Sequence, residues 1–518
     1  MPRLWSWCAA TSLLVLAAVP EAGAATVRER TIAITIRPDG SLREHTRLEI
    51  GIDNADDAAS WSTYRIVLDE NRRLEALDAC AISPRGERIA VGDEDQDTLE
   101  YSGQSVFYTS RRYRLLRFRD LAAGWVVAVE QVVVEEPYFP ASRVLLRGEA
   151  PIERLEVSVD GGGSEWRWRL DGPSEGLEVE QRAGGVTVRA RDLPALEAPV
   201  LAPAGALEPV LRFGWGGERS WQDVGRWYRE LLEAVPRSSP AVRGRARELV
   251  AGCEAKRARL DRLVDFVQQQ MRYVAVVVGI HSYRPSAPEE VLARRWGDCK
   301  DKALLLVELL GEAGIEAYPA LVLAARDRRI DRLFPSPEPF NHMIVAVPDA
   351  AVPWGEGDPV AGGYLFVDPN QSRGASRWLH PKVQDQEALI LRPGGSVMTR
   401  TPIVHQRERR SLEMELGISP RGDARGRARL DLGGELAATF LEEISGMATP
   451  ARDEAARSLI AHLLPGLTLS ELAWSVGEGQ VPAVGITAAV AMAGLVRGVD
   501  ATPSPELPGM RATLPSRA

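Results

Sequence analysis

The chain has 518 residues, of which 45% are apolar and 26% charged, the balance of ordinary globular protein with enough apolar side chains for a large core. At that length a single core is not expected, and about two to four domains are. The formal charge of −9 excludes a duplex-binding protein, which needs a clustered excess of Lys and Arg to neutralise phosphates.

The first residues read as a secretory signal, residues 1–25. Arg3 supplies a positive start, Thr11 to Val19 with the preceding Ala9-Ala10 an apolar run, and Ala22-Gly23-Ala24 a small-residue cleavage site. That run is shorter than the roughly 20 residues that span a bilayer, and no later segment approaches that length, so no transmembrane segment is expected after signal removal. The address expected is periplasmic or secreted. Of the four cysteines, Cys8 falls in the signal, which leaves Cys80, Cys253 and Cys299. In an oxidising compartment an odd count leaves one thiol as a candidate for reactivity. Cys80 and Cys253 read as reduced core residues, with a disulfide between them as the other reading.

Residues 26–237 read as one large or two small antiparallel β domains. Thr31 to Ile36, the turn Pro38-Asp39-Gly40 and the alternation through Leu48 and Ile50 make a hairpin. Turn signals recur at Pro84-Arg85-Gly86, Gly161-Gly162-Gly163 and Ala183-Gly184-Gly185, at spacings that suit sandwich sheets. The acidic stretch Asp93 to Asp97 begins like a calcium loop, but Thr98 and Gln104 stand where Gly and a bidentate Glu belong, so a solvated loop is expected.

A second domain, 238–400, opens where Leu260, Leu263, Val264, Val267 and Met271 fall at helical spacing, followed by an apolar strand from Tyr273 to Val278. A helix capped by Asp298 carries Ala303, Leu306, Val307 and Leu310 on one face and stops at Gly314. The runs Ala317–Leu323, His342–Val347 and Tyr364–Val367 are short strands, which makes an α+β layer. Residues 401–500 read as a β-rich C-terminal domain, with Leu412 to Ile418, the turn Pro420-Arg421-Gly422 and a return strand through Leu430 and Leu432, interrupted by a helix from Pro450 to Leu464. Residues 501–518, rich in Pro, Ser and Ala, read as a disordered tail.

The chemistry sits in the second domain. Arg295-Trp296-Gly297-Asp298-Cys299-Lys300-Asp301-Lys302 puts Cys299 in the first turn of a helix, where unpaired amides and the helix dipole favour an anion. The thiolate is the nucleophilic form of a cysteine, and Lys300 and Lys302 add to the effect if they face the sulfur. An acyl intermediate also needs a proton donor for the leaving amine, and His342 in Phe340-Asn341-His342-Met343 begins a strand that projects it toward the helix end. Of the six histidines, only His281 also falls in this domain ahead of its last strands. Asp368, at the end of Tyr364-Leu365-Phe366-Val367, is the carboxylate that fixes the imidazole. The backbone amide of Cys299 is one oxyanion donor. Trp296 and Tyr283 are candidates for a second, with a place in the wall or core as the bland reading of both. No zinc spacing, phosphate-cradling loop or Gly-x-Ser-x-Gly elbow occurs, and no cofactor or metal is called for.

These blocks, Gly297-Asp298-Cys299-Lys300-Asp301-Lys302, Phe340-Asn341-His342 and Phe366-Val367-Asp368-Pro369, resemble the three signature blocks of the bacterial transglutaminase-core family. Tyr283-Arg284-Pro285 and Gly314-Ile315-Glu316-Ala317-Tyr318 fit the same pattern, and the likeness covers about residues 240 to 395. In layout the chain resembles exported proteins in which that core follows a β-rich domain of unknown function. The resemblance implies a multidomain chain with a papain-like α+β core between β-sandwich-like domains. It also implies a Cys299 nucleophile, a His342 base and an Asp368 orienter, with Asn370 standing where many relatives have Thr. The leading expectation is a thiol enzyme acting on amide or isopeptide bonds of a protein or peptide in the cell envelope, resolved by water or by an amine. The other is a non-catalytic envelope module that keeps the fold as a binding surface.

Overall fold

Strand Thr26–Ile36 buries Ile32, Ile34 and Ile36 on one side of its pleat, and Leu42–Gly51 returns beside it as the expected hairpin. In the computed structural model, which describes residues 25–100, 107–148, 150–196, 208–217, 219–325, 329–355, 357–371, 376–404, 409–419, 421–444, 447–463, 466–477, 481–493 and 510–513, this hairpin lies inside an eight-stranded sheet. The sheet pairs antiparallel except where Thr26–Ile36 runs parallel to Ile152–Asp160. Two three-stranded sheets pack on it. One holds Thr63–Leu68, Arg112–Arg117 and Gln96–Glu100, and the other Ala141–Leu145, Val210–Trp215 and Trp166–Asp171. Ile34, Ile50, Tyr64, Ile66, Leu116 and Phe213 share one apolar cluster, so the N-terminal region is a sandwich around a single core. The acidic stretch departs from a solvated loop. Asp93–Asp95 is one 3-10 turn whose Asp95 is buried against Arg119, and Gln96–Glu100 is a strand.

The central domain is a six-stranded antiparallel sheet in the order Val360–Ala361, Tyr364–Val367, His342–Pro348, Tyr318–Val322, Glu387–Ile390, Val397–Arg400. Helix Cys299–Glu312 lies on its His342–Pro348 and Tyr318–Val322 strands. Helices Pro240–Val250, Lys256–Gln270 and Pro288–Arg294 cover the other side of that helix. Leu304, Leu305 and Leu309 are therefore buried as well as the four residues of the expected face, as befits a helix apolar all round.

Two expectations are corrected here. The core begins before 238, because helix Trp221–Glu233 puts Val224, Tyr228 and Leu232 into the core's own apolar cluster. The run Tyr273 to Val278 is not one strand. Arg272–Tyr273 pairs in parallel with Trp296–Gly297, and Ala275–Val277 pairs in parallel with Phe107–Thr109 of the N-terminal domain. Apolar side chains throughout that run satisfy both partners, so composition alone does not mark the break.

The C-terminal region is β-rich as expected, a five-stranded antiparallel sheet, and its second layer is helical. Glu435–Glu443, a helix not anticipated, and Thr449–Leu463 bury Phe440, Ile444 and Ile460 against Leu430, Ile486 and Val490. The tail expected to be disordered supplies the fifth strand. Met510–Thr513 pairs with Glu413–Leu416, whose edge is otherwise open; the rest of 501–518 and the signal segment through residue 24 lie outside the described residues. No described helix is long and apolar enough to cross a membrane.

Candidate active site

Each residue around Cys299 has a local task. Asp298 is the N-cap of the helix, and its Oδ1 accepts the amides of Lys300 and Asp301, both at 3.2 Å. Asp301 answers by accepting the amide of Asp298 at 3.4 Å, closing a capping box. The buried Asp301 carboxylate also accepts the Ser286 amide at 2.7 Å and Arg294 Nη2 at 2.7 Å, which ties the loop before the cysteine to the helix behind it. Gly297 is required by space, since a Cβ there would stand 2.6 Å from the Asp301 Cβ. The cap therefore takes the amides that follow Cys299 and not that of Cys299 itself.

The buried Lys300 ammonium is ion-paired to Asp298 and also donates to the Val276 carbonyl at 3.3 Å, so it braces the cap. Burial pushes the Asp298 carboxyl up to about 6 against the pull of Lys300. Lys302 is buried one turn on. Burial holds its ammonium down to about 8, and the charge it answers to is that of Asp368.

His342 opens the strand after the loop through Pro337 and Phe340. Asn341 anchors that start, its Oδ1 accepting the Ala324 amide at 2.6 Å. The imidazole Nε2 meets Asp368 Oδ2 at 2.9 Å, with both side chains buried, and His342 and Cys299 line the same cleft. Burial on its own lowers the imidazole's pKa. The charge and hydrogen bond of Asp368, and then Cys299, outweigh it and raise the value from 6.5 to about 10, so His342 is an imidazolium at neutral pH. Burial likewise opposes ionisation of Asp368, and His342 with the two donors of Asn370 overcomes it and holds the carboxyl below its ordinary value. Asn370 gives Asp368 Oδ1 its amide at 2.9 Å and its Nδ2 at 3.0 Å, and Gln268 Nε2 holds the Asp368 carbonyl at 2.9 Å. The structure thus brings Cys299, His342 and Asp368 together, and Asn370 serves the carboxylate.

Cys299 is half-buried on a cleft of about 500 Å³ that opens to solvent, lined among others by Tyr228, Tyr273, Val276, Tyr283 and Phe340. A second cleft of about 650 Å³, between Asp69–Arg72 and Glu135–Tyr138 of the N-terminal domain and the core, shares Val277, Ser282 and Tyr283 with it. Tyr283 is therefore in the wall where the two clefts meet. Trp296 is not among the lining residues. Its ring is stacked on Tyr108 of the N-terminal domain at 5.8 Å, with the Arg294 guanidinium 4.0 Å from its centroid. His281 is half-buried in the turn Gly279–Ser282, with Arg284 Nη2 at 3.3 Å from its Nε2, and is likewise outside the cleft lining. Cys80, Cys253 and Cys299 are all free thiols. Sequence reasoning missed Tyr228 and Gln268, which reach the site from helices before the cysteine. The apolar face of Trp221–Glu233 was the available signal for the first.

The crystal structure of a candidate protease from Parabacteroides distasonis is similar to this chain with 13% identity, covering 91% of this chain and 93% of that one at a TM-score of 0.57. That likeness shows a shared fold across nearly the whole length, flanking domains included. Weaker matches are a candidate cysteine protease from Cytophaga hutchinsonii, with 11% identity over 70% of this chain and 81% of that one at a TM-score of 0.19, and an M1 zinc metallopeptidase from Deinococcus radiodurans, with 16% identity over 48% of this chain and 55% of that one at 0.21. No curated protein matches the sequence. Residues 243–359 match the sequence model of the transglutaminase-like superfamily, and the chain carries a transglutaminase-like core between β-rich domains.

Proposed function

We propose that this protein is an exported thiol enzyme that transfers the acyl group of an amide or isopeptide bond to an amine or to water. The observation that carries the reading is the buried contact of His342 with Asp368 at 2.9 Å, beside a thiol in the first turn of a capped helix. His342 as an imidazolium stabilises a thiolate opposite it. The Cys299 sulfur attacks the carbonyl carbon and forms a C–S bond, and the carbonyl π pair moves onto oxygen. Collapse of that adduct reforms C=O and breaks C–N, and the leaving amine takes the imidazolium proton. The neutral His342 then accepts a proton from the incoming amine or water, which attacks the thioester; the C–S bond breaks and the thiolate and imidazolium are restored. Asp368 keeps the ring oriented with one nitrogen turned to the sulfur.

Export rests on the leader-like segment around Arg3, Thr11 to Val19 and Ala22-Gly23-Ala24. An envelope protein or peptide is the substrate class that fits that address and the two adjoining clefts, which share Val277, Ser282 and Tyr283.

The test incubates the purified protein with dimethylated casein and dansylcadaverine, reading dansyl incorporation, ammonia release and newly formed peptide termini against Cys299→Ala. Any of the three products, absent from Cys299→Ala, supports the enzyme and names the acceptor. The scaffold reading replaces it if the two proteins give identical traces and the Cys299→Ala chain performs the cellular role in full. Export is tested by the mass of the protein recovered from the periplasm, with Ala25 expected at its start.

A further inference from the structure

Tyr228 stands on helix Trp221–Glu233, outside the segment 243–359, yet it forms part of the wall of the Cys299 cleft. The helix that carries it is pinned at both its start and its flank. Ser220 and Asp223 close a capping box, and Gln222 exchanges two hydrogen bonds with the Ser396 backbone, Nε2 to the carbonyl at 2.7 Å and Oε1 from the amide at 2.9 Å. Gly225 lets the helix approach so near that a Cβ would stand 1.9 Å from Ser396 Oγ. The Tyr228 ring is 5% exposed and is held edge-on between Trp227, centroids 5.6 Å apart at 86°, and Tyr283, 6.5 Å apart at 78°. The ring is thus braced by its neighbours, and it forms part of the cleft wall beside Cys299 and His342.

We propose that Tyr228 is a catalytic residue that donates its phenolic hydrogen bond to the acyl oxygen of the substrate as that oxygen becomes an oxyanion. The inference rests on the thiol chemistry proposed above. When sulfur bonds to the carbonyl carbon, the displaced π pair leaves a full negative charge on oxygen, and a preplaced O–H donor lowers the energy of that state more than of the neutral carbonyl. The phenol only donates; its proton stays on oxygen throughout, and the proton for the leaving amine comes from His342. Such a donor has to keep its proton beside a thiolate. Burial first, and then the charges of Cys299 and Asp298, push the Tyr228 hydroxyl well above its ordinary pKa, so the neutral O–H form persists wherever the thiolate exists. Trp296, the indole expected in this role, has its ring stacked between Tyr108 and Arg294.

The test compares Tyr228→Phe, which keeps the ring, with the parent chain on two probes of Cys299. Alkylation by iodoacetamide displaces iodide at a saturated carbon and develops no oxyanion. Acylation by p-nitrophenyl acetate passes through one. The expected result is acylation of Cys299, read as p-nitrophenolate release and as a thioester by mass spectrometry, slowed about 100-fold in Tyr228→Phe with the alkylation rate unchanged. The unchanged alkylation also certifies that the variant's site is folded. Equal acylation rates overturn the assignment. Parallel loss of both reactions also overturns it, because Tyr228 then acts on the thiol. A parent chain that is not acylated at Cys299 removes the proposed thiol chemistry and this role with it, a result distinct from both.

Discussion

Replacing Asp368 by Asn keeps the size of the side chain and an acceptor oxygen and removes only the charge. In the parent chain the imidazole of His342 is raised from 6.5 to about 10 although burial lowers it, and Asp368 is the largest of the opposing influences. At about 1.36 kcal/mol per pKa unit that rise is on the order of 5 kcal/mol between the two protonation states. Without the carboxylate the two largest influences that raise the imidazole are gone, and burial favours its neutral form. The positive charge that favours a thiolate opposite it is then gone. Iodoacetamide alkylation of Asp368→Asn at pH 6 is expected to fall on the order of 100-fold, a loss of about 3 kcal/mol that stays within the shift of His342. Stability carries the same signature. The raised His342 contributes stability that is present below 6.5 and lost as pH rises through about 10, and the lowered Asp368 contributes stability present above about 4 and lost as pH falls. The melting temperatures of parent and variant are therefore expected to differ most between about pH 4 and 6.5 and to approach each other toward pH 10. An unchanged alkylation rate at pH 6 would refute the electrostatic reasoning.

Asp301→Ala removes a buried carboxylate that serves Arg294 and two backbone amides, and is expected to cost about 3–5 kcal/mol in urea unfolding. Gly297→Ala forces its Cβ against the Asp301 Cβ 2.6 Å away, so the cap shifts; alkylation of Cys299 is expected to slow while the far-UV spectrum is retained. Lys302 is lowered by burial from 10.5 to about 8, so between those values the unfolded chain binds the extra proton and the parent gains stability from this group as pH rises from 8 to 10.5. Lys302→Met, compared with the parent by urea unfolding at pH 8 and pH 10, is expected to lack that gain.

The candidate site is legible in the sequence to the extent that its residues act locally. Gly297, Asp298 and Asp301 make the tight approach and the capping box that expose Cys299, and the apolar runs after Ala317 mark the strands that deliver His342 and Asp368. What is not legible depends on contacts between distant segments. Trp296 reads alike whether it faces the sulfur or stacks on Tyr108, and only the parallel pairing of Phe107–Thr109 with Ala275–Val277 decides. Helix Trp221–Glu233 follows a long β region and was assigned to it, although Val224 and Leu232 pack in the core with Leu306. Helix Glu435–Glu443 is short and directly follows the strand Ala424–Gly433, so the strand alternation before it obscures its period.

The proposed chemistry turns on Cys299 as the reactive thiol, with His342 as the group that activates it. The most direct measurement is iodoacetamide alkylation from acid to alkaline pH, with the modified cysteine located by peptide mapping, in the parent and in His342→Ala. Cys80 is the internal standard, a buried thiol whose burial pushes its pKa up. Cys299 alone is expected to react below neutral pH in the parent, and that reactivity is expected to disappear in His342→Ala. A Cys299 that is inert, or that titrates identically in both proteins, contradicts the proposed chemistry.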